Sequence, residues 1–88
     1  MENNTANEKR KVYALSYTAQ DKTGYCAGVF DLYETLPRAR QDCRSVVEQL
    51  KNSNYHIVID QPNIDHIIMY NMNTQQEYHL FIDEKIIN

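Results

Sequence analysis

Three histidines (His56, His66, His79) and two cysteines (Cys26, Cys43) have the widest chemical range in this chain. Neutral imidazole with thiolate is the usual ligand set for zinc. The spacing does not supply it. There is no Cys-x-x-Cys or His-x-x-x-His, and Cys43 falls on an apolar helical stripe, where a free cysteine behaves as a small hydrophobe. A nucleophilic role for Cys26 would need a histidine in reach and backbone donors for an oxyanion. Cys26 instead sits inside a strand pattern, and Gly24 and Gly28 are the only glycines. The same scarcity removes phosphate-cradling loops and dinucleotide fingerprints. Asp83 and Glu84 point to opposite faces of an extended chain, so they do not converge as a catalytic pair. No metal, no cofactor and no enzymatic activity are expected.

Basic residues offer a second chemistry. Lys9, Arg10 and Lys11 precede the first strand, while Arg38, Arg40 and Arg44 lie on the polar side of the helical pattern. Tyr13 and Tyr17 are available for base stacking. Against a nucleic-acid surface stand Asp42 and Glu48, interleaved at helical spacing, and a net charge of −3. Residues 53–88 are acidic, with only Lys85 against five carboxylates. Nucleic acid is therefore the alternative reading.

These side chains need a scaffold, and 88 residues are enough for one domain. Residues 1–8 have no periodicity and read as a disordered lead-in, leaving 9–88 as a single α+β domain. No apolar run reaches the roughly 20 residues of a membrane span, and no apolar leader opens the chain. The cytoplasm is the expected location, with both cysteines as free thiols. An Asn-, Ile- and Tyr-rich composition is compatible with an AT-rich bacterial or phage genome.

Lys11 to Ala19 alternates as a strand, with Tyr13, Leu15 and Tyr17 on one face. Gly24 closes a polar turn through its freedom to take positive φ, and Tyr25 to Leu32 returns as a second strand. Gly28 within it marks a bulge or, by preference, a close crossing of the helix. Leu36, Ala39, Cys43, Val46, Val47 and Leu50 form one helical stripe. Thr35 as N-cap puts Pro37 in the first turn, where it is tolerated, and Asn52-Ser53-Asn54 ends the helix. Tyr55 to Asp60 forms a third strand with Tyr55, Ile57 and Ile59 to one side. Ile64 to Met72 and Glu77 to Ile82 form a second hairpin, and Lys85 to Asn88 is expected to dock in part. The fold expected is one amphipathic helix packed on a four- or five-stranded, mostly antiparallel sheet in the order β-β-α-β-β-β.

A hairpin symmetric about Thr74 and Gln75 pairs Met72 with Glu77, Tyr70 with His79, Ile68 with Phe81 and His66 with Asp83. Ile67, Met69, Tyr78, Leu80 and Ile82 then form the core face, interrupted only by Asn71. The opposite face carries Ile68, Tyr70, Met72, His79 and Phe81, although a sheet covered by a helix on one side should be polar on the other. Those five residues are the candidate protein-interaction site, for a homodimer or for another protein.

Overall fold

A computed structural model describes residues 10–87. The lead-in expected over residues 1–8 lies outside them, as does Lys9. The chain forms strands β1 (Arg10–Asp21) and β2 (Gly24–Tyr33), helix α1 (Leu36–Asn52), and strands β3 (Tyr55–Gln61), β4 (His66–Asn71) and β5 (Gln76–Ile87). All pairings are antiparallel in one five-stranded sheet of order β2-β1-β5-β4-β3. This is the expected α+β architecture, with five strands. β5 is the middle strand and runs on to Ile87, which pairs with Arg10, so the carboxyl-terminal isoleucines belong to the sheet.

The helix begins and ends where its capping residues dictate. The Thr35 hydroxyl accepts from the Arg38 N–H, and Pro37 falls in the first turn, where its missing donor costs nothing. Asn54, at φ 72°, takes the left-handed conformation just past the helix. Of the buried stripe Ala39, Cys43 and Val47, the last two pack with Leu15, Ile67, Met69 and Leu80 in the core. Tyr17, Tyr55, Ile57, Tyr78 and Ile82 close round this cluster.

Four local expectations are corrected. Gly24 does not have positive φ; the Asp21 carboxylate holds the first turn instead, accepting from the Thr23 N–H, the Thr23 hydroxyl and the Gly24 N–H. Gly28 makes room for the ring of Tyr17, its cross-strand partner, and not for the helix: a Cβ there would meet Tyr17 Cε1 at 2.8 Å. β3 carries an irregularity between Ile57 and Ile59 that turns Ile59 to the face opposite Ile57. The Pro62–Ile64 segment is a 3₁₀ turn ending in left-handed Asp65, so β4 starts at His66.

The second hairpin shows a fifth difference. His66 pairs with Phe81, Ile68 with His79 and Tyr70 with Glu77, a register two residues away from symmetric closure about Thr74 and Gln75. Asn71 sets it. Its side-chain oxygen accepts from the Asn73 and Thr74 N–H groups, its amide donates to the Ser53 carbonyl, and its own carbonyl accepts from Gln75, which adopts φ 59°. A slip of two preserves side-chain parity, so the two faces keep their expected membership.

Candidate interaction surface

The helix covers one face of the sheet, and among the described residues no element covers the other. β5 places Glu77, His79, Phe81, Asp83 and Lys85 there, opposite Gln20, Thr18, Ser16, Ala14 and Val12 of β1. β4 adds His66, Ile68 and Tyr70. The structure thus brings together Ile68, Tyr70, His79 and Phe81 of the expected site, all half-buried against their neighbours. Met72 stands apart from them in the hairpin turn, 72% exposed.

The face is wider than the second hairpin. Val29 lies opposite Ser16 and Leu32 opposite Ala14, and these β2 side chains are 59% and 54% exposed. At the other edge Ile59, opposite Ile68, is 41% exposed. Reading β2 and β3 as uninterrupted alternations hides these residues. An irregularity near Phe30 and another near Val58 exchange the faces midway along each strand.

His66, His79 and Glu77 form a hydrogen-bonded chain within this face. His79 Nε2 lies 2.6 Å from Glu77 Oε2, and His79 Nδ1 lies 3.1 Å from His66 Nε2. An ionised carboxylate can only accept, so His79 donates through Nε2. In its neutral form His79 then accepts at Nδ1 from His66 Nε2–H. Both His79 nitrogens are occupied, and among the described residues no group of three or more His, Cys, Asp or Glu is arranged to hold a metal ion. Cys26 pairs with Ala19 while His79 pairs with the adjacent Thr18, so the thiol and the imidazole occupy opposite faces of the sheet. Cys26 and Cys43 are both free thiols.

The basic residues are dispersed and largely paired. Arg10 approaches Glu34 at 3.8 Å and Lys11 approaches Glu84 at 4.0 Å. Arg40 forms a two-pronged pair with Asp65 at 2.7 and 3.1 Å, and Arg44 a similar one with Asp60 at 3.2 and 3.5 Å. Arg38 is exposed. Arg40 and Arg44 thus fasten α1 to the β3–β4 corner and do not form an unopposed cationic patch. Beneath them a cavity of about 370 Å³ is lined by Cys43, Ile67 and Ile82. Burial pushes the Cys43 thiol above its ordinary value, against the smaller effect of Arg44, so it remains an inert thiol at neutral pH.

No helix among the described residues is long and apolar enough to cross a membrane. The chain matches no protein-family model, no curated protein and no solved structure.

Proposed function

We propose that this chain is a non-enzymatic protein-interaction module that docks through the face of the sheet opposite α1. The observation that carries the reading is the spread of apolar side chains over four strands of that face, from Leu32 and Val29 of β2 through Phe81 of β5 and Ile68 of β4 to Ile59 of β3. An antiparallel sheet with one solvated face should alternate apolar-in with polar-out, whereas the outer face of this sheet carries Val29, Leu32, Ile59, Ile68 and Phe81 among its polar residues. Contiguous apolar surface of a few hundred Å² on a small protein ordinarily marks an interaction site. The pairing of Arg40 and Arg44 with Asp65 and Asp60 weakens the nucleic-acid alternative, because phosphate would have to displace a carboxylate at each.

The test is affinity capture by the native chain beside Tyr70→Lys and Phe81→Lys, with circular dichroism to confirm that each variant is folded. The native chain should retain a partner, whether a differently tagged copy of itself or another protein, and both variants should lose it. Retention of the same partners by both folded variants would overturn the reading.

A further inference from the structure

The outward side chains of β5 read Glu77, His79, Phe81, Asp83 and Lys85, and the outermost two, Glu77 and Lys85, are opposite in charge about Phe81. Four residues from Phe81 stand a carboxylate on one side and an ammonium on the other. Two residues away stand a histidine and a carboxylate. β5 is also the middle strand of the sheet, with two strands on either side. A surface of this kind is complementary to itself after a half-turn that reverses the strand direction.

We propose that the occupant of this face is a second copy of the chain, packed sheet on sheet about a two-fold axis that passes beside Phe81, perpendicular to the strands and parallel to the sheet. The proposal rests on the reading of this face as a docking surface and names its partner. The axis places β5 antiparallel over β5 of the partner copy. Glu77 then faces Lys85 of the partner subunit, the contact occurring twice. A half-turn along the strands instead would stack Glu77, Asp83 and Lys85 each on its own copy, and like charges across an interface are costly. The charges on β5 therefore select one orientation.

The distances permit it. Aligned sheets pack about 10 Å apart and cross at about 30°, and strands rise about 3.3 Å per residue. Residues four positions from the axis are then about 13 Å along the strand, with facing Cα atoms about 12 Å apart, a gap that extended Glu and Lys side chains span together. Five strands at about 4.8 Å spacing and six residues of length give a footprint near 500 Å² per copy, about 1,000 Å² in all, which is the lower end for a specific interface. His79 already occupies one oxygen of Glu77, leaving the other for the lysine.

Light scattering and sedimentation over a hundredfold concentration range should show a monomer–dimer equilibrium. Glu77→Lys and Lys85→Glu should each weaken it at least tenfold, and the double variant Glu77→Lys/Lys85→Glu should return to within about threefold of the native value. A differential alkylation control at Cys43, buried in the core, reports that each variant remains folded. A native chain that stays monomeric overturns the self-partner, while capture of another protein lost in Phe81→Lys would leave the docking face standing. A dimer unaffected by Phe81→Lys overturns both. A dimer lost in Phe81→Lys, but weakened further in the double charge variant than in either single one, overturns the two-fold arrangement alone.

Discussion

Replacing Gly28 by alanine probes the packing of the aromatic cluster beside the core. The new methyl carbon would sit 2.8 Å from Tyr17 Cε1, 3.0 Å from its hydroxyl and 3.1 Å from Cζ, inside van der Waals contact at all three. Tyr17 cannot swing away freely, because its ring is stacked on Tyr78 at 5.5 Å and lies against Phe30 at 4.9 Å. Overpacking of this kind costs about 1–3 kcal/mol, while alanine recovers roughly 0.5–1 kcal/mol over glycine within a strand. Taking the middle of each range, the net is a destabilisation of about 1.25 kcal/mol, or roughly 5–10 °C in Tm for a domain of this size. Urea unfolding followed by circular dichroism, at one fixed protein concentration because association adds to apparent stability, measures it. Gly24→Ala is the control: nothing lies within 4 Å of its added methyl and its φ is not positive, so stability should hold or rise by up to about 1 kcal/mol. A Gly28→Ala protein as stable as the native one would show that the Tyr17 ring does not need that space.

Asn71→Leu should cost about 1–3 kcal/mol by leaving the Ser53 carbonyl and the Asn73 and Thr74 N–H groups without their partner, read from the urea midpoint. A loss below about 0.5 kcal/mol would mean that water replaces the amide. Leu80→Ala, at a fully buried position, should cost about 2–5 kcal/mol, read from the same urea midpoint. Burial pushes Tyr33 and Tyr78 up to about 12, with the Asp42 hydrogen bond adding to the effect at Tyr33. Their folded values stand above the ordinary 10.0, so their stabilisation is complete below pH 10 and lost as pH rises through about 12. An ultraviolet titration should show Tyr33 and Tyr78 among the late tyrosines, with Tyr55 also raised by burial, and one late group missing in each of Tyr33→Phe and Tyr78→Phe. Hydrogen bonds from Thr23 hold the Asp21 carboxylate below its ordinary 3.8. The first turn should therefore keep its contact above pH 3.8 and lose it as pH falls through the lower folded value, visible as a displaced Asp21 titration by NMR.

Periodicity alone determined much of this protein. Apolar residues three and four apart required a helix from Leu36, Thr35 and Pro37 fixed its start, and alternation in β1, β4 and β5 assigned each side chain to a face. Parity is robust: the hairpin register slipped by two residues, yet Ile68, Tyr70, His79 and Phe81 stayed together on the outer face. Tertiary structure decided what parity cannot reach. An irregularity in β2 and another in β3 exchanged faces midway, adding Val29, Leu32 and Ile59 to the candidate surface, because one extra residue reverses every side chain beyond it. Distant partners decided the rest. Asp60 and Asp65 met Arg44 and Arg40 only because the β3–β4 corner folds beneath the helix, which turned solvent-facing arginines into fasteners. β5 became the middle strand only through pairing with β1 from the far end of the chain, and that placement puts its pattern of opposed charges at the centre of the exposed face.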